Sequence, residues 1–151
     1  MNFEKIVLEN FLFNEDYAKK VLVFVRDSYF SEQSEKVIFK NIQQYIIKYN
    51  ERPSIDALTV MLNDSNKLSQ PVFDESLKLI ESFSNSNNNE LEWLFDKTEE
   101  WAKEKSLHNA IMESITILNN KTDKDKGAIP DLLSKALAVS LDTNIGHDYI
   151  E

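Results

Sequence analysis

An all-α fold is predicted by three features of this 151-residue sequence. It has only two glycines and three prolines, its apolar residues recur at three- and four-residue spacing, and polar capping residues precede several of the apolar stretches. Strands, hairpin turns and phosphate-cradling loops lean on glycine for positive φ angles, so its scarcity favours helices. The expected architecture is a compact helical head of about five helices over residues 1–83 and a linker at 84–89, followed by a long antiparallel helical hairpin over 90–142 and a tail at 143–151. By size the whole chain is one domain.

Each element has its own warrant. Phe3, Ile6, Val7 and the run Asn10–Leu12 form a short helical stripe, and Asn14 caps a second helix over Glu15–Arg26 with Tyr17, Val21, Leu22, Phe24 and Val25 as its apolar set. Ser31 and Ser34 do not make a full capping box. Even so, Val37, Ile38, Ile42, Tyr45, Ile46 and Tyr49 repeat at helical spacing through Asn50, which makes this the central helix of the head. Pro53 interrupts it, and Ser54 caps the next helix, Ile55–Asn63. After a polar turn at Asp64–Gln70, helix resumes at Pro71 or Val72, with Val72, Phe73, Leu77, Leu79, Ile80 and Phe83 as core candidates. In the run Ser84–Asn89, Ser and Asn side chains compete for backbone hydrogen bonds and mark a linker.

From Glu90 to Asn120 there is no proline or glycine, and Leu94, Trp101, Ile111, Ile115 and Leu118 mark one stripe. At ~1.5 Å per residue such a helix reaches about 45 Å, longer than a compact bundle of this size needs. The polar turn Asn119–Lys126 and Gly127 reverse the chain into a last helix, Ile129–Leu141, with Leu132, Leu133, Ala136, Leu137 and Val139 as its apolar residues. A two-helix hairpin cannot bury its own stripe, because each helix covers one side of the other. Either a second copy covers it isologously or the hairpin folds back onto the head.

The composition bounds the function. Net charge is −9, whereas a domain that grips nucleic acid normally presents a basic face, so direct nucleic-acid binding is not expected. No apolar run approaches the ~18 residues of a membrane span and Met1–Asn10 is not a signal peptide, so no membrane association and a cytoplasmic location are expected. With no cysteine there is no disulfide frame and no thiol nucleophile. Neither Gly127 nor Gly146 belongs to a GxxxxGK[ST] phosphate loop. His108 and His147 lie outside any HExxH pattern, and Gly146-His147-Asp148 has no serine partner that would make it a catalytic fragment. Glu99-Glu100 and Glu90/Glu92 are read as a solvated helical face, and of Trp93 and Trp101 at least one is read as core. No catalytic, cofactor-binding or metal-binding residue is expected. An enzyme would require a deep pocket containing strongly shifted carboxylates.

The segments VLENFLFNEDYAKKV (Val7–Val21), DSYFSEQSEKVIFKNIQQYIIKYNERPSIDAL (Asp27–Leu58) and, above all, GAIPDLLSKALAVSLD (Gly127–Asp142) with GHDY (Gly146–Tyr149) resemble the N-terminal domain of DnaB-like replicative DNA helicases, the T-even-type phage members in particular. The resemblance implies an oligomerisation and docking domain of a hexameric helicase in phage DNA replication, non-catalytic by itself. Residues 143–151 would begin the linker to a motor domain beyond Glu151, to which ATP and Mg would belong. It implies self-association as a dimer, or a trimer of dimers within the hexamer, with primase and a helicase loader as further partners. Carried onto this chain, the hairpin contact surface would be drawn from Leu94, Trp101, Ile111, Ile115 and Leu118 with Leu132, Leu133 and Leu137. The run Ser84–Asn89 and the acidic balance depart from the family pattern. The alternative is a stand-alone helicase-interacting adaptor, such as the helicase-binding domain of a primase, and the reading frame past Glu151 separates the two.

Overall fold

The computed structural model describes residues 2–65, 67–85, 90–121 and 123–139. Among them it is all-α, with seven α-helices and two short 3-10 turns. The expected features at Gly146–Tyr149, most of the 84–89 linker and the last residues of the hairpin lie outside the described residues. The chain divides into two compact units, residues 1–90 and 91–151.

The first unit holds α1 (Phe3–Phe13), α2 (Glu15–Val21), α3 (Gln33–Tyr49), α4 (Ile55–Asn63) and α5 (Gln70–Ser82). Its starts follow short-range chemistry. The Asn14 side chain accepts the Tyr17 N–H at 3.2 Å, Ser54 Oγ accepts the Ala57 N–H at 3.0 Å, and Ser69 caps α5 with Pro71 in its first turn. α3 is the central helix expected from its stripe, packing against α1, α4, α5 and the 3-10 turn Asp27–Tyr29. The core runs through Phe11, Tyr17, Phe30, Phe39, Ile38, Ile42, Leu58, Leu62 and Ile80, all essentially buried. Phe39, absent from the stripe read in the sequence, joins Phe11 and Phe30 at ring distances of 5.6 and 5.2 Å.

Several boundaries differ from expectation. α2 ends at Val21 rather than Arg26, because the run VLVFV is rich in β-branched residues with reduced helix propensity. The turn that follows buries Phe24 and Val25 and turns Val23 outward, 80% exposed. α3 begins with a capping box that the sequence reading did not find. Glu32 caps the helix and Glu35 reaches back to the Glu32 N–H at 3.1 Å, one register later than the Ser31–Ser34 spacing. Glutamate is an uncommon N-cap, so the usual signal was missing. The helix ends at Asn50, whose left-handed φ of 56° suits asparagine. Tyr49, expected to be an apolar contact, is exposed, as is Val60 of α4.

The second unit contains α6 (Leu91–Leu118), a 3-10 turn at Lys126–Ala128 and α7 (Ile129–Leu137). Free of proline and glycine, α6 runs 28 residues, about 42 Å at ~1.5 Å per residue. Asn120, with a φ of 57°, turns the chain after α6, and α7 packs against α6. α7 closes at Leu137, four residues before the Leu141 end expected for it, with Ala138 in a turn.

Candidate interaction surface

α6 has two buried sides rather than one continuous stripe. Its first half buries Leu94, Thr98, Trp101 and Ala102, and its second half buries Ala110, Ser114 and Ile117. At 100° per residue the centres of these two sets lie roughly 140° apart around the helix. α7, whose buried residue is Ala136, packs against α6. The buried residues Ala110, Ser114 and Ala136 are all small, and the Ser114 hydroxyl donates to the Ala110 carbonyl at 2.8 Å, so that hydroxyl is not stranded.

Beside this second buried set, the last turns of α6 present an apolar face to solvent. Ile111, Ile115 and Leu118 are 44%, 45% and 54% exposed, and they share one strip of the helix within about 60°. Met112 extends the strip on one flank, and Leu137 on α7 is also exposed. Toward the start of the helix the same strip turns polar at Lys97, Glu100 and Glu104 before reaching the exposed Trp93. A cluster of large apolar side chains on a two-helix unit is the kind of surface that partners cover.

The eight residues proposed from the sequence therefore separate. Leu94 and Trp101 are buried within the chain, Leu132 and Leu133 are half-buried, and Ile111, Ile115, Leu118 and Leu137 are exposed. Met112 was missed because it lies one position off the spacing that defined the stripe. The two indoles divide as well, Trp101 buried and Trp93 half out of the surface.

The acidic residues of α6 make a charged helical face. Glu99 pairs with Lys103 at 3.4 Å and Glu100 with Lys97 at 3.3 Å. Glu113 pairs with Lys124 across the turn. His108 is exposed, and among the described residues no group of three or more His, Asp or Glu is placed to hold a metal ion.

In the first unit a cleft of about 650 Å³ is lined by Leu12, Lys19, Ile46, Arg52 and their neighbours, and the Arg52 guanidinium donates to the Leu12 carbonyl at 3.1 Å. A second, shallower groove includes Glu35, whose carboxyl is pushed up to about 7, first by burial and then by the neighbouring Glu4. Glu35 nevertheless has both oxygens committed to Asn2 and the Glu32 N–H, as Glu4 has both committed to Ser31. These bonds tie Glu4 and Glu35 to Asn2 and to the Ser31–Glu32 corner.

Fold and surface together describe an all-helical chain whose exposed feature is an apolar helix face. The chain is similar to a DnaB-like replicative helicase of Enterobacteria phage T4, 30% identical over 156 aligned residues. The similarity covers 97% of this chain and 32% of the relative, so the chain spans about a third of the length of the curated relative it matches. The resemblance read from Val7–Val21, Asp27–Leu58 and Gly127–Asp142 is thereby borne out over nearly the whole chain. No family model matches. Among the described residues no helix is long and apolar enough to cross a membrane.

Proposed function

We propose that this chain is the N-terminal assembly and docking domain of a hexameric, ATP-dependent replicative DNA helicase, and that it self-associates through the exposed face of α6 carrying Ile111, Ile115 and Leu118. Similarity to one third of a replicative helicase supports the parentage. The observation that carries the assembly role is the contiguous apolar face on a unit with only two α-helices among its described residues. ATP and Mg chemistry is assigned to the part of the parent outside this chain. Primase and a helicase loader are the further partners, recruited once copies have paired.

Pairing of hairpins juxtaposes two chains that each carry a net charge of −9. Added salt therefore tightens this association by screening like charges, the reverse of a salt-bridged interface. Sedimentation equilibrium of the full chain, with Ile111→Asp/Ile115→Asp beside it, tests the reading. Both positions are exposed, so the variant keeps its far-UV circular dichroism while the dimer dissociates to monomer. Leu94→Asp would not serve, because Leu94 is fully buried and a carboxylate there unfolds the helix before it reports on contact. Wild-type chain that stays monomeric at every concentration, or a double variant that assembles as the wild type does, overturns the proposal.

A further inference from the structure

The cleft of about 650 Å³ in the first unit is built by α2, the end of α3 and the turn into α4, and its volume is that of sites that hold a small ligand. Its apolar lining runs from the buried Leu12 through the half-buried Leu22 and Ile46 to Val23, one of the most exposed large apolar side chains of the head. Arg52, half-buried in the same lining, donates from one guanidinium nitrogen to the Leu12 carbonyl at 3.1 Å, which anchors it at the end of α1. A guanidinium carries five N–H donors in a planar fork. Among the described residues the remaining donors of Arg52 meet no acceptor, and Arg52 makes no ion pair. Of the two carboxylates in the lining, Glu15 is engaged by Lys19 at 2.9 Å and Glu51 is exposed.

We propose that this cleft docks an acidic peptide segment of a partner protein, one in which a carboxylate stands next to a large apolar side chain. The carboxylate takes the open fork of Arg52, and the apolar side chain covers Leu22, Val23 and Ile46. A planar carboxylate matches a guanidinium fork with two parallel hydrogen bonds, and a guanidinium already oriented by a backbone carbonyl loses little freedom in making them.

Charge selects the acidic segment. Between Lys19 and Arg52, the stretch that supplies most of the cleft wall, the sequence has seven Lys and Arg against four Asp and Glu, in a chain whose net charge is −9. That local surplus draws a negative segment to this part of the head and away from the acidic remainder. A nucleic-acid strand is served less well, because it needs a row of cations free for successive phosphates. Here Lys19 is paired with Glu15, and Lys40 with Asp27 at 3.5 Å. Glu51, beside Arg52 in the chain, opposes an incoming carboxylate and sets a ceiling on affinity. The site lies wholly in the first unit and does not depend on pairing through α6.

Amide NMR spectra of the full chain, titrated with an acetylated and amidated hexapeptide of alternating glutamate and leucine, test the site. Saturable shifts are expected to concentrate at the amides of Leu22, Val23, Glu51 and Arg52. Counterpart peptides with glutamine for glutamate, or serine for leucine, bind about tenfold or more weakly. Arg52→Gln, which can still donate to the Leu12 carbonyl, lowers the glutamate peptide to the level of its glutamine counterpart, while Glu51→Gln tightens it roughly two- to fivefold. Should Arg52→Gln fail to fold, the peptide comparisons on the unchanged chain decide alone. The same titration on the Ile111→Asp/Ile115→Asp chain gives unchanged binding, which separates this site from assembly. The proposal is overturned if the peptide produces no saturable shifts, if its glutamine counterpart binds equally well, or if Arg52→Gln leaves the affinity unchanged. It is equally overturned if a short oligothymidylate of the same charge displaces the peptide from these amides, or if binding is lost in the Ile111→Asp/Ile115→Asp chain.

Discussion

Replacing Phe39 isolates how much of the head rests on its aromatic chain. Phe39 is fully buried on α3, with ring centroids 5.6 Å from Phe11 and 5.2 Å from Phe30, and Phe11 continues the chain to Tyr17 at 5.4 Å. All three spacings fall in the range where tilted rings attract, each pair contributing roughly 0.5–1.5 kcal/mol beyond its buried area. Phe39→Leu keeps most of the apolar volume and loses two ring pairs, so it costs about 1–3 kcal/mol. Phe39→Ala adds the cavity and costs about 3–5 kcal/mol, a large part of the 5–15 kcal/mol that a domain typically has. Both tryptophans lie in the second unit, which makes indole fluorescence a poor probe of the head. Hydrogen exchange read by mass spectrometry on peptides from α1 and α3, across a urea series, reports the head directly. A double-mutant cycle of Phe39→Leu with Phe11→Leu is expected to show a coupling of roughly 0.5–1.5 kcal/mol. A cost below about 0.5 kcal/mol for Phe39→Leu, or additive single changes, would refute the reasoning and place the energy in generic burial.

Two further substitutions test the local geometry. Ala110→Leu inserts bulk at a small buried side chain of α6, against which α7 packs, and is expected to cost about 1–3 kcal/mol, read as lost exchange protection in α7; a neutral result would mean that α7 does not pack closely at that position. Asn50→Ala forces a Cβ without asparagine's local hydrogen bonding into a φ of 56° and is expected to lower the melting free energy by roughly 1 kcal/mol, while Asn50→Gly is neutral or slightly stabilising; equal effects of the two would show that the left-handed cap is not what ends α3.

The helices were legible because their causes are short-range. Asn14 and Ser54 cap helices at the positions read for them, and Pro71 falls in the first turn of α5, each through contacts within a few residues. Absence of glycine and proline from Glu90 to Asn120 made a long α6 the natural reading, since nothing in that stretch breaks the backbone ladder. The capping box of α3 escaped because it uses Glu32, and α2 was read too long because apolar periodicity continues past Val21 while β-branched residues undo the helix.

By itself, then, the sequence determined an all-α chain, the approximate extent of its helices and its likeness to part of a replicative helicase. Only the tertiary structure decided what each apolar face is for. Leu94, Trp101, Ile111, Ile115 and Leu118 read as one stripe, yet the first two are buried and the last three face solvent, because the buried side of α6 changes along its length. The Glu4–Ser31 and Glu35–Asn2 bonds were likewise invisible, as they form only when the starts of two helices separated in sequence are brought together. Periodicity records that residues share a side of a helix. Which sides are covered, and by what, depends on packing partners that local sequence does not encode.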